Sequence, residues 1–72
     1  MEILNIKDEY IKLGQALKLS GLAGSGVEAK EAVQNGEVKV NGETTLQRGK
    51  KLYHGDAVEY HGSAFQIHAG RV

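Results

Sequence analysis

Arg48, Lys50 and Lys51 crowd around Gly49, and nothing about a fold requires three cations within four residues. A guanidinium such as that of Arg48 can chelate a phosphate through two parallel hydrogen bonds or stack on an unpaired base, whereas Lys50 and Lys51 act as point charges. A second set, Lys12, Lys18 and Lys30, falls on segments with helical patterning. Any one of these lysines by itself reads first as solvation of a helix's outer face, and only their grouping favours a polyanion. Ser25 with Glu28 three residues later has the spacing of a capping box, so Ser25 is foremost a helix cap and only secondarily a phosphate contact. Gly26 beside it allows close backbone approach, at a helix end whose free amides and dipole attract anions. Lys39, between Val38 and Val40, projects from the opposite side of its strand and is a rim candidate or a plain surface lysine.

Other chemistries find little support. His54, His61 and His68 recur every seven residues, but there is no cysteine and no H-x₃₋₅-H pair, so neither a metal site nor a cofactor is expected. His54 stands next to the basic loop. Ser20, Ser25, Ser63, His54 and Asp56 show no triad, nucleophile-elbow or paired-carboxylate spacing, which argues against an enzyme. Tyr10, Tyr53, Tyr60 and Phe65 read as core or half-buried rings. Tyr53 beside the basic loop is the exception, as a candidate base-stacking surface.

The formal net charge is zero, unlike most nucleic-acid-binding domains, yet the charge is sorted along the chain. Residues 1–10 carry −2, 11–30 carry +2, 31–46 carry −2, 47–55 carry +3 and the remainder −1. Segregation of this kind can build a potential of several kT on one face. The 72 residues leave room for one modest core, read as a single domain over 1–72, with no disulfide to supplement it. No apolar run approaches the roughly 20 residues of a membrane span, and the start MEILNIKDEY lacks the pattern of a signal peptide. A cytoplasmic protein away from membranes is expected.

The elements that must position these side chains read as an α+β unit. Met1 to Ile6 alternates weakly and predicts a short strand or an extended arm. Leu13, Ala16 and Leu17 have the i, i+3, i+4 spacing of a helix over about Lys12 to Ser20, closed by Gly21. The second helix starts at the Ser25 cap, buries Ala29, Ala32 and Val33, and stops at Asn35-Gly36, both tolerant of left-handed backbone. Val38 and Val40 alternate with charged residues before Asn41-Gly42, a strong two-residue hairpin signal. Strands over Ala57 to Tyr60 and Ala64 to Ala69 follow, joined by a turn at Gly62-Ser63. The expected architecture is two short helices on a small, mostly antiparallel sheet of about four to five strands.

Three stretches, KLGQALKLSGLA, SGVEAKEAVQNGEVKVNGE and HGDAVEY, together resemble the RNA-binding domain family named after ribosomal protein S-four of the small subunit, also called the α-L motif. The resemblance spans Lys12 to Tyr60, 49 of the 72 residues, and is strongest to small stand-alone bacterial members. It implies docking on structured RNA through two helices and a basic loop. Lys12, Lys18, Ser25, Gly26, Lys30, Lys39, Arg48, Lys50 and Lys51 are then the candidate contacts. Ser25-Gly26 stands where many members have Ser-Arg, and Gln47 where arginine is common, so two expected cations are missing. Such domains usually serve as RNA-docking parts of pseudouridine synthases, tyrosyl-tRNA synthetases and ribosomal proteins, and these 72 residues hold no such catalytic domain.

The resulting expectation is a non-catalytic, monomeric domain that binds ribosomal, transfer or other structured RNA, with the ribosome a candidate partner. The competing reading is a protein-interaction module, for example one docking on a ribosomal protein. A sulfur-carrier reading fails on the terminal Ala69-Gly70-Arg71-Val72, which lacks a Gly-Gly end.

Overall fold

The computed structural model describes residues 2–70, so Met1, Arg71 and Val72 lie outside the described residues. Nine elements follow in order: β1 (Glu2–Ile6), β2 (Tyr10–Lys12), α1 (Leu13–Leu19), α2 (Gly26–Gln34), β3 (Val38–Val40), β4 (Glu43–Thr44), β5 (Lys51–Tyr53), β6 (Ala57–Tyr60) and β7 (Ser63–Ala69). Five strands form one sheet in the order β1-β7-β6-β3-β4. Among the described residues only the β1–β7 pairing is parallel. Strands β2 and β5 make a separate antiparallel ribbon.

Period-two burial decides which face of the sheet meets the helices. Val38, Val40, Val58, Tyr60, Phe65 and Ile67 are buried in one cluster with Leu13, Ala16 and Leu17 of α1 and Ala29, Ala32 and Val33 of α2. The cross-strand register aligns Val40 with Val58 and Val58 with Phe65, so the core runs as a continuous row across three strands. The opposite face carries Lys39 and Glu59, directly paired between β3 and β6.

Local chemistry sets the element ends. Ser25 caps α2 as expected, its Oγ accepting the Glu28 N–H at 3.1 Å. The reciprocal bond differs from a capping box: the Glu28 carboxylate accepts from Gly24 N–H at 2.9 Å rather than from the cap residue's own amide. At the far end only Gly36 is left-handed, with φ 74°, while Asn35 keeps φ −82°. Gly36 N–H donates to Val33 O and Glu37 N–H to Ala32 O, the two bonds of a Schellman motif.

Both tight hairpins use two residues of positive φ, the geometry that matches strand twist. Asn41 (52°) and Gly42 (85°) are as expected. The second turn is His61-Gly62 (51° and 80°) rather than Gly62-Ser63, because Tyr60 pairs with Ser63, which already opens β7.

Two further expectations are corrected by the ribbon. Lys12 is the last residue of β2 and flanks α1 instead of lying within it, and Lys51 belongs to β5 rather than to a loop. Each ribbon strand is three residues long and turns a single side chain inward, Ile11 partly buried and Leu52 fully buried. One apolar residue per strand leaves no alternation to detect. Burial of Leu52, contributing about 1.5–3 kcal/mol, tethers the ribbon to the main core.

Candidate nucleic-acid interface

The loop after β4 folds back onto the start of α1. Lys50 N–H donates to Gln47 O at 3.1 Å, closing a turn whose carbonyls then face the helix. Leu13 N–H donates to Lys50 O at 2.8 Å and Gly14 N–H to Arg48 O at 3.0 Å. Main-chain acceptors thus take the place of a side-chain cap, which Lys12 does not provide. The consequence is positional: capping α1 this way brings the Arg48 side chain against the helix.

Gly14 is what lets it lie there. A β-carbon at this position would sit 2.7 Å from Arg48 Cγ and 3.3 Å from Cδ. The residue was not among the sequence-derived candidates. Its signal was available, since glycine in the first turn of a helix costs about 1 kcal/mol against alanine and calls for a packing reason.

An open cleft results, lined by Lys12, Gly14, Gln15, Lys18, Gly26, Arg48 and Gly49. Gly26 is the first residue of α2, and a β-carbon there would lie 3.9 Å from Lys18 Cδ, so the lysine stem passes alongside the helix end. Because Ser25 Oγ serves Glu28 and the first intrahelical bond is Ala29 N–H to Ser25 O, the amides of Gly26 and Val27 have no protein acceptor among the described residues. Lys12, Lys18 and Arg48 therefore converge on a helix N-terminus with unoccupied donors, which suits a phosphate. Glu28 is the one acid at that end, and its carboxylate is engaged by Gly24.

The remaining candidates are dispersed. Lys30 lies one turn beyond Gly26 on the same side of α2 and is exposed, outside the cleft lining. Lys50 contributes its carbonyl to α1 while its side chain is exposed. Lys51 is paired directly with Lys12 across the ribbon, and its ammonium sits 4.7 Å above the centre of the Tyr10 ring. Two cations opposed on one ladder repel, and a polyanion laid across them relieves that cost. Lys39 is on the far face, in a groove shared with Glu37, Glu59, Tyr60 and His61. At its edge, where Tyr60 turns into the core, burial, with Glu37 and Glu28 adding to it, raises the Tyr60 hydroxyl above its ordinary pKa of 10.0, and His61 Nε2 meets Glu37 Oε1 at 3.0 Å. Lys39 thus stands among acids, apart from the other cations.

A family model for the S4 domain matches residues 4–68. The chain belongs to the S4 domain family. The match reaches beyond residues 12–60 to take in residues 4–6 of β1 and nearly all of β7, so most of the parallel strand pair is within the family's extent. Among S4 domain relatives, the chain is 46% identical over 65 residues to RlbA of Bacillus subtilis, named as a probable ribosome maturation protein; the match covers 89% of this chain and 92% of that protein. The solution structure of YbcJ from Escherichia coli superposes with a TM-score of 0.74 at 33% identity, covering 96% of this chain and 89% of that one, and is described as revealing an α-L motif involved in RNA binding. The 30S ribosomal protein S4e of Thermoplasma acidophilum gives a TM-score of 0.64 at 28% identity over 83% of this chain and 32% of its own length. The S4 domain therefore accounts for the two helices packed on a mostly antiparallel five-stranded sheet. No helix among the described residues is long and apolar enough to cross a membrane.

Proposed function

We propose that this S4 domain protein is a non-catalytic RNA-docking domain of the cytoplasm, acting as a monomer on folded RNA. Phosphates seat in the cleft between Lys12, Lys18 and Arg48, against the free amides of Gly26 and Val27. The observation that carries this reading is the convergence of Lys18 and Arg48 on the uncovered start of α2. Rigid placement of cations on helices suits the fixed phosphate spacing of a duplex better than a mobile single strand. Likeness to a probable ribosome maturation protein supports ribosomal RNA as the class of partner. Lys30 and Lys50 form the outer rim, reached by phosphates flanking the central pair, while Lys39 stays out of the interface. Ser25 acts through α2 rather than by direct contact.

Fluorescence anisotropy with a stem-loop and an unstructured homopolymer of equal length tests it. The stem-loop should bind more tightly, with little dependence on its sequence. Equal affinity for the two RNAs overturns the reading. Retention of the protein on RNA-free ribosomal protein, with no binding to naked RNA, would establish the protein-docking alternative instead.

A further inference from the structure

The ribbon β2–β5 turns Ile11 and Leu52 toward the core, and therefore turns Tyr10, Lys12, Lys51 and Tyr53 outward. Tyr10 and Tyr53 are direct cross-strand partners, their rings 5.7 Å apart and tilted by 47°. The Lys51 ammonium covers the Tyr10 ring, whereas Tyr53 remains 45% exposed, a large aromatic surface left uncovered beside a cationic groove. Its backbone is held firmly: Tyr53 N–H donates to Asp56 Oδ2 at 2.8 Å, and Asp56 Oδ1 accepts from Asn41 Nδ2 at 3.1 Å. A ring carried on so firmly held a backbone has only its own side-chain rotation to lose on stacking.

The surroundings of Tyr53 specify what would lie on it. A concavity beside the ring is lined by Lys7, Asp8, Glu9 and His54. Lys7 offsets one of the two carboxylates, leaving a net negative concavity that disfavours a phosphate, while the carboxylates can accept hydrogen bonds from the amino edge of a base. The phosphates belong on the other side, because Lys12 both walls the cleft and pairs with Lys51 across the ribbon. From Lys51 to Tyr53 is two residues along one strand face, roughly 7 Å, a reach comparable to one nucleotide.

We propose that the outer face of this ribbon is a stacking platform for one unpaired base next to the bound duplex. Tyr53 lies under the base, and Asp8 and Glu9 accept from its amino group. The platform rests on the cleft reading above and adds to it a preference for a junction or overhang bearing an amino-substituted base.

The test uses the full chain and one stem-loop in three forms: blunt, with a single cytidine overhang, and with a single uridine overhang. Cytidine and uridine have rings of equal size and differ along one edge, where cytosine has an amino donor and an N3 acceptor and uracil a carbonyl acceptor and an N3–H donor, so only cytosine offers the exocyclic amino group that Asp8 and Glu9 would accept from. The cytidine overhang should tighten binding roughly tenfold over the blunt form, within the range for one stacked base. Uridine should gain about fivefold less, one hydrogen bond's worth. Tyr53→Ala should erase the gain while blunt-stem affinity stays unchanged, and Tyr53→Phe should keep it. Combined Asp8→Asn and Glu9→Gln should bring cytidine and uridine to equal affinity, a ratio that a general change in potential does not move. If the blunt stem binds with normal salt dependence and neither overhang improves it, the platform is wrong and the cleft stands. If no form binds, both fall.

Discussion

The first-turn glycine of α1, Gly14, faces Arg48 so closely that a β-carbon would stand 2.7 Å from the arginine Cγ. Gly14→Ala therefore sets two effects against each other. Helix propensity gains about 1 kcal/mol, while the Arg48 side chain must leave its place along the helix. Thermal unfolding should change by no more than about 1 kcal/mol, because Arg48 is exposed and can swing into solvent. RNA affinity should fall as far as in Arg48→Ala. Anisotropy titrations showing affinity equal to that of the unaltered protein would mean that Arg48 does not act from this position.

Ser25 separates capping from contact. Ser25→Ala removes the acceptor of the Glu28 N–H and should destabilise by roughly 1 kcal/mol, with binding declining in step. Ser25→Asp retains an equally good cap but places a carboxylate at the free amides of Gly26 and Val27. Its melting temperature should hold while affinity drops by roughly tenfold, since a like charge at contact range costs on the order of 1–4 kcal/mol. An Asp variant that melts normally and also binds normally removes the α2 N-terminus from the interface.

Charge lost should equal salt slope lost. If about four cations meet phosphates, log affinity should fall with log salt at a slope of roughly −3 to −4, using ~0.7 to 0.9 per contact. Lys18→Ala combined with Arg48→Ala should reduce the slope by about 1.5. Lys39→Ala, on the far face opposite Glu59, should leave it unchanged. A slope near zero in the unaltered protein would point to protein docking, and a slope reduced by Lys39→Ala would place RNA on the wrong face of the sheet.

The Asn41 turn supports the ribbon as well as the hairpin. Asn41 holds φ 52°, its Oδ1 accepts from Ala57 N–H at 2.9 Å, and its Nδ2 donates to Asp56, which in turn receives Tyr53 N–H. Asn41→Ala should destabilise by about 2 kcal/mol, the left-handed backbone alone contributing roughly 1–2 of that. Asn41→Gly relieves the backbone and should recover about half the loss in urea unfolding. Equal losses in both variants would assign the whole effect to the side-chain bonds.

What the amino-acid order determined by itself is local. The Leu13, Ala16, Leu17 and Ala29, Ala32, Val33 faces, the Ser25 cap, the Gly36 stop and the Asn41-Gly42 turn each depend on neighbours within a few residues, through helical period, capping bonds and positive φ. Family membership was legible for the same reason, as an ordered series of such local marks. His61-Gly62 was displaced by one residue because histidine seldom adopts positive φ, and only the Tyr60–Ser63 pairing shows that it does so here. The ribbon was invisible because Ile11 and Leu52 bury one side chain per strand, and their partnership spans some forty residues. The same distance hid which cations meet. Arg48 reaches Lys12 and Lys18 only because loop carbonyls cap α1 at Leu13 and Gly14, and Lys39 is set apart because strand alternation turns it to the face opposite the helices. Like charges have no sequence pattern that forces them together; the packing of apolar residues placed them, and that energy is stored in contacts between segments far apart in the chain.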